Sequence, residues 1–118
     1  MKINSFQEIL AWEKAHKLVI VTYKITDNFP KNEQFCLVSQ MRRSAISIAA
    51  NIAEGFKRKS SKDSDHFYNI ASSSLEELKY YFILSRDLKY LNNEQYLDLI
   101  NQADEAGKVL NGWQKSQS

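Results

Sequence analysis

Three glycines and a single proline leave this 118-residue chain almost nothing with which to interrupt a helix. Glycine and proline cost about 1 and 3 kcal/mol in a helix interior, and they are the main punctuation of a sequence. Where they are scarce, apolar residues recurring every three or four positions read as long helices. Pro30 marks the first boundary, because the residue before a proline is pushed out of the α region. No stretch alternates with period two between turn signals, as a strand would.

Four helices are predicted. Helix 1 runs from about Gln7 to Thr26, opened by Ser5-Phe6-Gln7-Glu8, which has the form of a capping box. Its inward face is read as Trp12, Ala15, Val19, Thr22 and Tyr23, with Leu18 and Ile25 beside them. Helix 2 runs from about Asn32 to Arg58 on a stripe of Met41, Ala45, Ile48, Ile52 and Phe56, widened by Val38, Ile46, Ala49 and Ala53. Helix 3, capped by Ser60 or Ser61, reaches about Leu88, with Phe67, Ile70, Ala71, Ser74, Leu78, Tyr81, Phe82, Ser85 and Leu88 inward. Helix 4 starts at the N-x-x-Q cap Asn92-Asn93-Glu94-Gln95 and ends near Gln114, with Tyr96, Ile100, Ala103, Leu110 and Trp113 inward. Short connections between helices of this length force neighbours to run antiparallel. The expectation is an all-α, antiparallel up-and-down four-helix bundle, one domain spanning residues 1–118.

Composition narrows the setting. The lone Cys36 excludes an internal disulfide and a multi-cysteine metal site, and its apolar surroundings read as a small buried hydrophobe. Met1-Lys2-Ile3-Asn4-Ser5 lacks the plan of a signal peptide, and the longest apolar run, Leu18 to Val21, cannot span a bilayer. The expected location is cytoplasmic, with no membrane partner. Residues 1–62 carry 11 Lys and Arg against 5 Asp and Glu, whereas residues 63–118 carry 5 against 9. Such asymmetry suits either an anionic partner or complementary faces in self-assembly.

Helix 2 is the unusual element. On a helical wheel its apolar arc exceeds what one core seam needs, and Ala49, Ala50 and Ala53 extend it toward a second surface. Arg42 falls inside that arc, so it must find a carboxylate, carbonyls or a path to water. Gln40, Arg43, Ser47, Asn51, Glu54 and Arg58 form a narrow polar band, read either as a solvated face or as a subunit or ligand contact. Arg43 and Glu54 are too far apart along the axis to pair, so each would meet another helix or subunit. Lys57, Arg58, Lys59 and Lys62 cluster at the next turn. They suit the negative end of the helix dipole, and they equally suit phosphate contact, which Arg42 and Arg43 would extend.

Catalytic apparatus is not evident. His16 and His66 lack the i+4 His or Cys partner of a zinc site, and no glycine-rich phosphate loop is present. A helical ribonuclease would place an Arg shortly before a catalytic His; Arg58 and His66 match that only loosely, across a turn. Tyr68, Tyr80, Tyr81 and Tyr90 suit either base stacking or packing. No catalytic residue, metal or cofactor is assigned.

The order Trp12-x-x-Ala15, Phe29-Pro30-x-x-Glu33, Gln40-x-Arg42-Arg43, Ser47-Ile48-x-x-Asn51-Ile52-Ala53-Glu54-Gly55, then Phe67, Ala71 and Glu76, resembles the ribosomal-RNA intervening-sequence proteins of bacteria. The accessory variability determinant proteins of diversity-generating retroelements look similar. The resemblance runs from about Phe6 to Leu110, and Asn51–Gly55 is its most specific part. It implies an up-and-down bundle assembled into a ring-like homopentamer. For the retroelement members it also implies contact with nucleic acid and a reverse transcriptase. The combined expectation is a non-enzymatic homo-oligomer that binds RNA or a ribonucleoprotein, with phosphate contacts from Arg42, Arg43, Lys57, Arg58, Lys59 and Lys62. The alternative is an assembly module with protein partners alone, in which Gln40, Arg42, Arg43, Ser47, Asn51, Glu54 and Gly55 form the interface.

Overall fold

Ser5 and Glu8 close the expected capping box. In the computed structural model, which describes residues 2–118, the Ser5 hydroxyl accepts from the Gln7 N–H at 3.2 Å, and the Glu8 carboxylate accepts from the Ser5 N–H at 2.8 Å. The box caps only a 3-10 turn, Phe6–Glu8. Ile9 then adopts an extended backbone and buries its side chain, so α1 begins at Leu10 and runs Leu10–Thr26. A second 3-10 turn, Lys31–Glu33, follows Pro30. The chain turns again through residues 34–36 before α2, Leu37–Lys57. Helix 2 therefore starts five residues later than its periodicity suggests. Cys36 is exposed rather than buried. The apolar run Phe35-Cys36-Leu37-Val38 is divided by the turn, and only Leu37 and Val38 face the core.

The remaining boundaries follow their caps. Ser60 accepts from the Asp63 N–H at 3.2 Å and opens α3, Ser61–Asp87. Asn92 and Gln95 form a reciprocal box that opens α4, Asn93–Ser116. Between them Lys89 has φ 67°, in the left-handed region. Tyr90 N–H reaches the Ser85 carbonyl at 2.8 Å and Lys89 N–H the Arg86 carbonyl at 2.9 Å. That is the paired bonding of a Schellman motif, with lysine where glycine is usual.

The four helices pack cyclically, α1 on α2, α2 on α3, α3 on α4 and α4 on α1, in an up-and-down bundle 44 Å long. Among the described residues there is no strand. Ile9, Leu18, Met41, Ile48, Ile52, Tyr68, Leu78, Phe82, Leu99 and Leu110 are among the large buried side chains.

The faces are rotated slightly from the expected ones. On α1 the centre is Ala11, Ala15, Leu18 and Thr22, while Trp12 and Val19 are half-buried flanks and Tyr23 is exposed. On α3 the centre is Ser64, Tyr68, Ala71, Leu75, Leu78 and Phe82; Phe67, Ile70, Ser74 and Tyr81 flank it and Leu88 is exposed. On α4 Leu99 and Ala106 join Ala103 and Leu110, with Tyr96, Ile100 and Trp113 half-buried. On α2 Phe56 and Ala53 are half-buried and Ile46 is exposed. The cause is size. The axis of a tight bundle takes Ala and Leu, and several of the wide aromatic rings sit in the grooves between helices. No described helix is long and apolar enough to cross a membrane.

Candidate functional site

The six cations expected to form one phosphate-binding surface lie at the two ends of α2. Arg42 and Lys57 are fifteen residues apart, roughly 22 Å at the helical rise. At the α2–α3 turn Lys57, Lys59 and Lys62 are exposed and make no ion pair among the described residues. Arg58 is committed locally. Its Nη2 meets Glu54 Oε2 at 2.7 Å, and its guanidinium lies 4.4 Å from the centre of the Phe67 ring. Asp63 joins Glu54, Lys57, Arg58 and Lys59 around the groove there, so two carboxylates temper the positive field.

At the far end Arg42 finds all of the partners its position demands. Nε donates to Thr26 Oγ1 at 3.0 Å, Nη2 donates to Asp27 Oδ1 at 3.0 Å, and the guanidinium lies 4.4 Å from the centre of the Tyr23 ring. The Thr26 hydroxyl in turn donates to the Thr22 carbonyl at 2.7 Å. This is a clasp between α1 and α2 rather than a free charge. Arg43 beside it is exposed and has no ion-pair partner among the described residues.

The polar band of α2 is largely spent inside the chain. Asn51 Nδ2 donates to the Ser47 carbonyl at 2.8 Å and to its hydroxyl at 3.0 Å, and the Ser74 hydroxyl of α3 donates to Ser47 Oγ at 2.8 Å. One turn away Ser44 Oγ donates to the Ser74 carbonyl at 2.7 Å. Small hydroxyls at these positions let α2 and α3 approach closely.

Gly55 is a point of close approach between α2 and α3. A Cβ placed there would lie 2.8 and 2.9 Å from Cδ1 and Cζ of Tyr68, and closer still to Cε1. The Gly55 carbonyl also accepts from the buried Ser64 hydroxyl at 2.8 Å. Glu54, which cannot reach Arg43, pairs with Arg58, the residue that caps the C-terminus of α2. Gln40 is exposed.

Two further pairs cross the bundle. Lys14 of α1 meets Glu105 of α4 at 2.8 Å; the hydrogen bond and charge raise the Lys14 pKa and lower that of Glu105. Lys79 of α3 meets Asp104 of α4 at 2.8 Å and Glu76 at 3.1 Å, and these partners raise its pKa. The Tyr90 phenol is raised by its bond to Glu33, and the Tyr68 phenol by burial.

The histidines stand apart. His16 stacks on Trp12 with ring centres 4.8 Å apart, and His66 lies edge-on to Phe67. No cluster of three or more His, Cys, Asp or Glu among the described residues has metal-binding geometry.

Sequence reasoning missed one surface feature. Phe35 is 92% exposed beside a shallow groove formed with Tyr23, Val38, Arg42, Arg43 and Ile46. The signal was a large apolar residue just before the true start of α2, hidden because helix 2 was read as beginning earlier.

One of the solved structures similar to the chain is a crystal structure of a protein of unknown function from the S23 ribosomal protein family of Bacteroides thetaiotaomicron. It is 26% identical with a TM-score of 0.82, over 90% of this chain and 96% of that one. No curated protein matches the chain significantly. The model of the 23S rRNA-intervening sequence proteins matches residues 7–112, almost the whole bundle, and the chain belongs to that family.

Proposed function

We propose that this protein is a non-enzymatic, homo-oligomeric bundle subunit, pentameric as its family resemblance suggests, that binds RNA or a ribonucleoprotein in the cytoplasm. The observation that carries the RNA reading is the set of three exposed, unpaired lysines at the α2–α3 turn, Lys57, Lys59 and Lys62. Lysines without carboxylate partners bind phosphate without first breaking an ion pair, and each contact releases condensed counterions. Arg58 and Arg42 contribute less, since both are held by internal carboxylates. The family description, which refers to 23S rRNA, favours RNA as the anion.

Binding to single-stranded RNA across a salt series tests the reading. Three phosphate contacts per subunit give a log–log slope of about −2. Reversing Lys57, Lys59 and Lys62 to glutamate should abolish binding while leaving the helical content unchanged. Absence of affinity at the lowest salt sinks the nucleic-acid function. The second reading, an assembly module with protein partners alone, is favoured by the exposed Phe35, which no phosphate contact requires.

A further inference from the structure

We infer that α4 is a releasable strap, which undocks and unfolds as one unit while α1, α2 and α3 stay packed together. The release is a property of the single chain and rests neither on RNA binding nor on self-assembly. Its first support is what α4 buries. Of its 24 residues, Leu99, Ala103, Ala106 and Leu110 are buried, and the two in the middle are alanines. α2 buries nine of its 21 residues, among them Leu37, Met41, Ile48 and Ile52. Burial stabilises in proportion to apolar area, so methyl groups hold the middle of α4 where long side chains hold α2. Tyr96, Ile100, Val109 and Trp113 add half-buried flanks.

The polar contacts point the same way. α2 is joined to its neighbours through Arg42 with Thr26, Ser44 with Ser74, and the buried Ser64 hydroxyl on the Gly55 carbonyl. α4 is joined to its neighbours by Lys14–Glu105 and Lys79–Asp104, each at 2.8 Å, with both carboxylates exposed. Such pairs contribute little in water. Gln114 adds bonds to Asp65 and Asn69 at 3.2 and 3.1 Å. An open groove of about 490 Å³ runs between α3 and α4. Ser72, Glu76, Lys79, Asp104, Lys108 and Asn111 line it, where a tight interface would place apolar side chains.

Two of the three glycines stand inside α4, Gly107 and Gly112. A Cβ at Gly112 would meet nothing within 4 Å, and at Gly107 it would meet the Cδ2 end of Leu75 at 3.2 Å. Neither glycine has a positive φ. Packing therefore does not require glycine at 112, and its effect there is to favour the unfolded state of the helix. The chain also has a place to part. Tyr90 is anchored before α4 begins, by its hydroxyl on Glu33 at 2.8 Å and by its ring against Phe29, with centres 5.3 Å apart. Leu91 beside it is buried. The hinge is thus Asn92, and the α3–α4 connection stays in place when the helix leaves. Because α4 packs on both α3 and α1, its release opens the groove between them and uncovers core side chains such as Leu18, Leu75 and Phe82. A segment with few buried apolar contacts is the one that opens at low free energy.

Native-state hydrogen exchange on the full chain tests the release, with each amide followed as denaturant rises below the melting transition. Amides from Leu99 to Leu110 should share one opening and, corrected for intrinsic rate, exchange at least about tenfold faster than the slowest amides of α2 and α3. Gly112→Ala should slow the α4 amides about two- to fivefold, since the released helix is the state that glycine favours. Arg42→Ala should speed the slowest α2 and α3 amides about fivefold or more and leave those of α4 unchanged, because the Arg42 clasp persists when α4 leaves. Ser44→Ala makes the same comparison with a milder loss. α4 amides that accelerate together with those of α2 in these variants overturn the inference, since α4 then opens only when the whole chain unfolds. It is equally overturned by amides from Leu99 to Leu110 as slow as the core, with fast exchange confined to the last turn, or by a Gly112→Ala protein in which they are no slower.

Discussion

Gly55→Ala probes the close approach of α2 and α3 at Tyr68. In most helices this exchange stabilises by about 1 kcal/mol, because alanine restricts the unfolded chain and favours the helix. Here the added Cβ meets Tyr68, which is only 1% exposed and has no space into which to turn. Separations of 2.8 and 2.9 Å to ring carbons are well inside van der Waals contact, and relief requires α2 and α3 to move apart. Overpacking of this kind costs about 1–3 kcal/mol, and the depth of the overlap places it in the upper part of that range. Set against the propensity gain, the net loss is about 1–2 kcal/mol, a fall of roughly 4–8 °C in Tm for a domain of this size. Urea unfolding of Gly55→Ala, Tyr68→Leu and the double variant supplies the assay. Leucine removes Cε1 and Cζ and frees its Cδ1 from the rigid ring so that it can rotate away from the new methyl, and in that background Gly55→Ala should be close to neutral, with a coupling of about 1–2 kcal/mol. A Gly55→Ala protein as stable as wild type would refute the reasoning, and with it the structural explanation of the Asn51–Gly55 segment.

Three other outcomes follow from the same packing. Arg42→Ala should lower stability by about 1–3 kcal/mol, because it removes hydrogen bonds to Thr26 and Asp27 and the Tyr23 stacking together, whereas Asp27→Ala, at an exposed pair, should cost no more than about 0.5 kcal/mol; denaturant melts of the two variants separate the clasp from a simple ion pair. Lys89→Gly should raise the Tm by a few degrees, since glycine adopts the left-handed backbone at that position without steric cost, about 1 kcal/mol. Glu105 is held below its ordinary pKa of 4.5 by Lys14, so the pair's contribution is present above that value and disappears as pH falls through the lowered one; the Tm difference between wild type and Glu105→Gln should be visible at neutral pH and close on acidification.

The up-and-down architecture was legible because it depends on local chemistry. Scarce breakers and apolar periodicity set the helices, and the boxes at Ser5–Glu8 and Asn92–Gln95 occur where their residues stand. The requirement that Arg42 find partners was legible for the same reason, since a charge in an apolar arc has no neutral alternative. The breaks at Ile9 and at residues 34–36 were not, because there tertiary burial and turn geometry overrode a continuous helical pattern. Cys36 was misplaced as a consequence.

The sequence by itself determined the number of helices, their approximate limits and the uneven distribution of charge. Only the tertiary structure decided what that charge meets. Pairings such as Glu54 with Arg58 are local in sequence, but Arg42 with Asp27, Lys79 with Asp104 and Ser47 with Ser74 depend on which helix becomes the neighbour and at what height. Periodicity specifies a direction around each axis and says nothing about register between axes. That register set Gly55 against Tyr68 of α3, left Lys57, Lys59 and Lys62 at one end without an ion pair among the described residues, and exposed Phe35 at the other.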